Sequence, residues 1–469
     1  MCNRVQIEVE VWRLIILRRN ASEFLVFETD SGLFLPRVEI PAHTRLAQTL
    51  NDQVKALWGL EVYSLYPLPA NTPAPGSPIA RYHVIEALQH EAAAPPAAQW
   101  IPIRVPMEGR FIESEDFAAV QTWIKNLANR SSTGLSAFDR PGWFLILKDW
   151  VQKTLRPFQM TLTGDFVQFN ASATFSLIRF ATDGDAVWFK AVGEPNTREF
   201  PLTIALSELF PGYTPRLLAT EPRWNAWLAE EVPGVRLAEC DDTAAWKNAA
   251  RDLAALQIAS VQMTDHILEC ESRDMRSDAL LARVVPFFAM LRELMKGQTN
   301  PLPTRLLPED LAQLESDTRN ALSDLRQEGV PNSLGHLDLN PGNIIVCAGR
   351  TVFLDWAEAS VGHPFFSFAH LLEHFRRNFQ AGPDGPACLI REYTEVWKSR
   401  GYCNNPEKSI CLAIFLAIFV HAVSTDPWRD PRQLLQPRVA GYYRSLARRM
   451  KSYASRIRFG ATRPSEVWA

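Results

Sequence analysis

One stretch constrains this chain more than any other. Leu334 to Ala359 reads LGHLDLNPGNIIVCAGRTVFLDWAEA and sets His336, Asp338 and Asn343 at the spacing H-x-D-x4-N. An apolar run (Ile344, Ile345, Val346) follows, then a Gly-Arg turn and a second apolar run (Val352, Phe353, Leu354) that ends on Asp355 and Trp356. The pattern predicts two short strands joined by a turn, holding Asp338, Asn343 and Asp355 around one small volume. Few chemistries use that set. A carboxylate accepts the proton of an attacking hydroxyl, while a carboxamide and a second carboxylate offer hard oxygens to magnesium beside a nucleotide.

The stretch resembles the catalytic loop of the aminoglycoside phosphotransferase and choline kinase-like family, small-molecule relatives of the protein kinases. The resemblance implies a two-lobed protein-kinase-like fold, ATP and Mg2+ as cofactors, and a small-molecule acceptor. It makes Asp338 the catalytic base, Asn343 and Asp355 the magnesium ligands, and His336 a scaffold of the loop. The sequence departs from the family downstream. Gly362 and Pro364 fit at a relaxed spacing, but Ser367 stands where an Asp usually braces the loop from below.

Upstream, Phe166 to Val192 reads as three strands, Phe166–Asn170, Thr174–Thr182 and Ala186–Val192, with Asp183-Gly184-Asp185 as a hairpin turn. Lys190 sits among apolar neighbours on the third strand and requires an anionic partner. The resemblance places it on the nucleotide phosphates, held by Glu199 in the early turns of a following helix, with Glu208 facing solvent. It also places Asn170, Ser172 and Thr174 in the turn that covers the phosphates, without a glycine-rich signature. Arg216–Ala219 and Trp227–Val232 read as further strands, and Glu230 and Val232 as hinge candidates where adenine would be held by backbone groups.

A mostly helical region follows, with periodic patterns at Thr243–Ile258, Ser277–Lys296 and Pro308–Gln327. His363, His370, Glu373 and His374 are candidates for the acceptor pocket. The i, i+4 pair His370/His374 also fits a metal site, but no third ligand stands at motif spacing, and a packed or solvated helix face is the simpler reading.

The first 130 residues read as strands, a helix from Arg45 to Trp58 with Thr44 as N-cap, more strands around a proline-rich loop, and a helix over Asp116–Ala128. This order resembles a Nudix domain, at Leu35-Pro36 and at Gly59-Leu60-Glu61-Val62 after the helix. Its chemistry does not carry over. Where a Nudix helix sets glutamates for magnesium, this one has Asp52-Gln53 and Ala56-Leu57. The expected architecture is therefore α+β. It comprises a non-catalytic Nudix-like α/β/α domain (1–130), a linker (131–140), a β-rich small lobe with a preceding helix starting at Pro141 (141–232) and a helical large lobe (233–469).

Composition excludes several alternatives. With 469 residues the chain is too long for one ordinary core, and a net charge of −3 with no isolated basic block gives no sign of a nucleic-acid partner. Seven scattered cysteines without Cys-x-x-Cys suggest neither a disulfide framework nor zinc, and fit a cytoplasmic protein. The N-terminus lacks the order of a signal peptide, and the apolar run Ile410–Val420 is too short to span a bilayer. The expectation is a cytoplasmic ATP- and magnesium-dependent kinase of a sugar, amino alcohol or aminoglycoside-like hydroxyl. No acidic cluster for a polycation is evident. The alternatives are a nucleotide-binding regulatory or scaffold protein and, least of all, Nudix hydrolysis in the first domain.

Overall fold

The computed structural model describes residues 8–68, 80–105, 107–130, 138, 140–172, 174–379, 385–402, 406–461 and 463–468. Most of the expected linker and of the proline-rich loop lies outside them. The chain forms two compact units, Met1–Phe200 with Arg216–Glu231, and Pro201–Pro215 with Val232–Ala469.

The first unit opens with β1 (Val9–Arg18), β2 (Glu23–Thr29), β3 (Gly32–Phe34), β4 (Arg37–Pro41), α1 (Leu46–Trp58), β5 (Val62–Pro67), β6 (Arg81–Ala87), β7 (Ala98–Pro102) and α2 (Ser114–Arg130). The strands make one sheet in the order β3-β2-β1-β6-β5, with β4 beside β1 and β7 beside β2. Only the β1–β6 pairing is parallel. β1 is apolar on both sides because both sides are covered. Leu14 and Ile16 join Leu50 and Val54 of α1, while Ile15 and Leu17 join Trp123 of α2. An α/β/α sandwich results.

Then come α3 (Trp143–Leu155), β8 (Leu162–Ser172), β9 (Phe175–Thr182), β10 (Val187–Val192), α4 (Glu199–Leu209), β11 (Leu217–Glu221) and β12 (Ala226–Glu230). The second sheet is antiparallel in the order β11-β12-β10-β9-β8. Its Ile178, Phe180 and Phe189 share one hydrophobic cluster with Phe144 and Leu147 of α3 and with Phe24, Val26 and Trp123 of the first sandwich. A polar tie reinforces this core. Gln168, 2% exposed, accepts the Ser64 N–H at 2.7 Å and an Asn51 N–H at 3.0 Å, and donates to the Ser64 carbonyl at 2.9 Å. Both strands are irregular at this point, β5 between Ser64 and Tyr66 and β8 between Gln168 and Asn170. The amide of Gln168 thus satisfies backbone groups that a bulged ladder leaves over.

Two helix starts differ from expectation. Arg45, not Thr44, occupies the N-cap of α1, because the Thr44 hydroxyl instead donates to the Pro41 carbonyl at 3.0 Å. α3 begins after Gly142, whose φ of 83° is a left-handed turn that sets the helix start at Trp143, two residues beyond Pro141. β4 and β7 were not anticipated between their flanking prolines.

The second unit contains β13 (Val235–Arg236), α5 (Thr243–Ser260), α6 (Thr264–Glu269), β14 (Arg273–Met275), α7 (Ser277–Lys296), α8 (Pro308–Gln327), β15 (Ser333–His336), β16 (Ile344–Cys347), β17 (Arg350–Phe353), β18 (Ala359–Gly362), α9 (Phe365–Phe379), α10 (Gly385–Ser399) and α11 (Pro406–Ser424), then a helix over Pro437–Arg458. The strands form two three-stranded sheets, β13-β16-β17 and β14-β18-β15, set among the helices. Gly234 enters β13 at φ +152°, where a Cβ would stand 2.4 Å from the Val346 carbonyl oxygen, so only glycine admits this approach to β16. α11 is the one helix among the described residues long and apolar enough to cross a membrane, and 83% of that window is buried inside the protein. Phe415 and Phe419 lie in the helical core with Trp246, Phe287 and Phe288.

Candidate active site

β15 and α9 approach closely because residue 335 is glycine. A Cβ there would lie 2.7 Å from Ser360 Oγ and 3.1 Å from Ser367 Oγ. Ser367 uses this proximity, its hydroxyl oxygen accepting the His336 N–H at 2.8 Å. The His336 ring then bridges two loops. Nε2 lies 2.9 Å from the Leu354 carbonyl and Nδ1 accepts the Asp338 N–H at 3.3 Å, which together assign the proton to Nε2. Trp356 packs on the ring at 4.9 Å.

Asp338 follows on an exposed turn held by two asparagines. Asn340 caps the short 3-10 turn Pro341–Asn343, accepting the Gly342 N–H at 2.9 Å, and donates from Nδ2 to Asp338 Oδ1 at 3.2 Å. Asn343 donates from Nδ2 to Asp338 Oδ2 at 3.3 Å and to its carbonyl at 3.1 Å. The carbonyl of Asn343 accepts the Leu354 N–H at 2.8 Å, so the residue before Asp355 is tied to the same turn. Asp355 itself is exposed and sits at φ 63°, a left-handed conformation that aspartate tolerates better than most residues. The structure therefore ties His336, Asp338 and Asn343 into one hydrogen-bonded assembly, with Asp355 next in the chain to Leu354, which is bonded to both His336 and Asn343.

The donor set suits a hard cation. With its Nδ2 turned to Asp338, Asn343 keeps its Oδ1 as an acceptor, and Asp355 adds a carboxylate. Two protein oxygen ligands, completed by water and phosphate, are what magnesium takes in phosphoryl-transfer sites. Among the described residues no group of three or more His, Cys, Asp or Glu is placed to hold a metal by itself.

In the first unit, Lys190 Nζ meets Glu199 Oε1 at 2.5 Å, with the two side chains only 11% and 3% exposed. Aromatic rings of Phe175 and Trp227 stand 5.1 and 5.6 Å from the ammonium. Glu208 is exposed. Asn170 and Ser172 end β8, and the Ser172 hydroxyl tightens the turn by accepting the Thr174 N–H at 3.3 Å. Glu230 closes β12 with its carboxylate on Arg216 at 2.6 Å, and Val232 is the first residue of the second unit after Glu231.

Asp338 also lines a cavity of about 330 Å³ with His370, Glu373 and His374 of α9, His421 of α11, and Tyr442 and Arg449 of the helix Pro437–Arg458. Burial pushes the His370 imidazole down to about 3 and lowers those of His374 and His421, so all three are neutral bases near pH 7. His363 is elsewhere, buried against Phe365 and Phe366. Sequence reasoning missed Asn340, although Asn-Pro-Gly is a turn signal, and missed His421, Tyr442 and Arg449, which no local pattern connects to the loop.

Residues 195–398 match the family model described as the phosphotransferase enzyme family. No curated protein matches the chain. Solved structures that resemble it at low identity include the following three. A macrolide 2'-phosphotransferase from Brachybacterium faecium is 14% identical, covering 64% of this chain and 98% of that one, with a TM-score of 0.42. An ethanolamine kinase from Plasmodium vivax is 14% identical over 74% and 97%, with a TM-score of 0.46. A choline kinase from Streptococcus pneumoniae is 11% identical over 65% and 99%, with a TM-score of 0.40. The family match bears out the resemblance carried by the catalytic stretch.

Proposed function

We propose that this chain, a small-molecule phosphotransferase by the family of its residues 195–398, moves the γ-phosphoryl group of ATP to a hydroxyl of a small molecule. The observation that carries the proposal is the single assembly of Asp338, Asn343 and Asp355, cross-tied through His336 and Leu354. The acceptor hydroxyl donates to the Asp338 carboxylate, which orients it and takes its proton as oxygen attacks phosphorus and the bond to ADP breaks. Asn343 and Asp355 hold magnesium, which neutralises charge on the phosphates. Lys190 takes the α- and β-phosphates, Glu199 fixes Lys190, and the turn bearing Asn170, Ser172 and Thr174 covers them. Glu230 and Val232 flank the adenine. His336 exchanges no proton in the reaction and keeps the two loops in register.

The first sandwich is read as a Nudix-like fold without hydrolase chemistry, since α1 exposes Asp52, Ala56 and Leu57 in place of a carboxylate face. The protein is assigned to the cytoplasm. A regulatory nucleotide-binding role is the second reading, and the Ser367 substitution that favours it is offset by the hydrogen bond Ser367 makes to the loop. ATP turnover with magnesium against pooled sugars, amino alcohols and aminoglycosides separates the two readings. Nucleotide binding without transfer in any pool favours regulation, and absence of nucleotide binding defeats both.

A further inference from the structure

The charges around the Asp338 cavity point to the kind of acceptor, given the kinase reading above. Glu373 is the other carboxylate of the lining, and it is already saturated. Its Oε1 is met by Arg376 at 3.2 Å, Arg377 at 2.8 Å and Arg449 at 3.2 Å. Three guanidiniums share one carboxylate, so positive charge is in excess around Glu373, with Arg376 standing outside the cavity lining. Arg377 and Arg449 line the cavity, and each brings five N–H donors of which Glu373 takes few. Glu373 acts as their clamp.

The rest of the lining adds hydrogen bonding without negative charge. His421 Nε2 pairs with the Tyr442 hydroxyl at 2.7 Å. A cationic acceptor needs free carboxylates or an aromatic cage, and Tyr442 is the one large aromatic ring here. At about 330 Å³ the cavity is at the small end of ligand sites.

We infer that the acceptor is a small hydroxylated anion, its charge a carboxylate or a phosphate monoester, bound by Arg377 and Arg449 with its hydroxyl presented to Asp338. Guanidinium forks recognise both anions by paired N–H donors.

The test assays the full-length protein with magnesium-ATP against four size-matched arms: hydroxy and sugar acids, sugar phosphates, neutral polyols, and amino alcohols. Transfer in the first or second arm is expected and tells which anion is used. Arg377→Gln, an exposed position, is expected to raise the acceptor KM at least tenfold, with kcat and the KM for ATP nearly unchanged. Calorimetric titration of gluconate and glucose 6-phosphate without nucleotide runs beside it. Anion binding that weakens in Arg377→Gln supports the inference even if no arm turns over. Transfer confined to the neutral or amino alcohol arms overturns it while leaving the kinase standing, and so does absence of anion binding. Failure of the protein to bind ATP overturns the kinase reading and the acceptor role with it, a result distinct from transfer in the wrong arm.

Discussion

The Ser367 hydroxyl accepts the backbone N–H of His336 at 2.8 Å, in a position where the family pattern read from the sequence calls for an aspartate. A neutral oxygen thus serves as acceptor for a buried amide at the entrance to the turn that bears Asp338. The charge is lost and the tether is kept.

Ser367→Ala removes the hydroxyl that accepts the buried His336 N–H, at a place where His336 and Ser367 are each 1% exposed. The expected cost is about 1–3 kcal/mol of stability. A fall in kcat larger than any change in acceptor KM is expected as well, because the loop that carries Asp338 loses its anchor. Thermal melts and steady-state kinetics on the variant check both. Unchanged kcat would show that the loop is held by other means.

Lys190 and Glu199 form a buried pair, so removing one takes a close opposite charge from the other. Glu199→Ala is expected to lower stability by about 3–5 kcal/mol. The double variant Lys190→Met/Glu199→Leu removes both charges and is expected to melt near the wild type while losing ATP turnover. A double variant that still turns over ATP would make the pair purely structural.

Burial holds His83, His363 and His370 down at about 3, and His374 and His421 are also lowered. Between the ordinary histidine value of 6.5 and those folded values, the unfolded chain binds protons that the folded chain refuses. Stability therefore falls as pH drops from 7 toward 4. Glu86 and Asp252, raised by burial, act in the opposite sense but are fewer. Chemical denaturation at pH 7, 6 and 5 measures the slope. A midpoint that is flat or rises on acidification over this range would contradict the burial of these rings.

The legible parts of this chain were those fixed by local chemistry. α7 and α8 were read to the residue, and α8 shows why: Pro308 starts it and Asp310 takes the Leu307 N–H at 3.0 Å. The strands that carry Asn343 and deliver Asp355 were legible from two apolar runs around Gly349, whose φ is 82°. β7 was not, because only Ile101 of its side chains is buried and its sequence is Ala-Gln-Trp-Ile-Pro. The cavity beside Asp338 was half legible. His370, Glu373 and His374 lie near the motif in sequence, whereas Arg449 reaches Asp338's cavity only through the packing of a distant helix.

Gln168 gives a test of how the first sandwich is joined to the sheet that carries Lys190. Gln168→Ala leaves the Ser64 N–H and carbonyl without their partner in a buried site, at about 1–3 kcal/mol. Hydrogen exchange is expected to rise at Ser64 first. Exchange that rises only in the sheet containing Gln168 would mean that Ser64 finds another partner.

The most direct measurement is phosphoryl transfer by Asp338→Asn beside the wild type, at saturating magnesium-ATP and with the acceptor that the wild type uses. The amide is close in size and still orients the hydroxyl, but it cannot take the proton. Nucleotide affinity is expected to be unchanged and kcat to fall by about 10²–10⁴-fold. A variant that transfers phosphate at the wild-type rate would contradict the assignment of Asp338 as the base, and with it the account of this site.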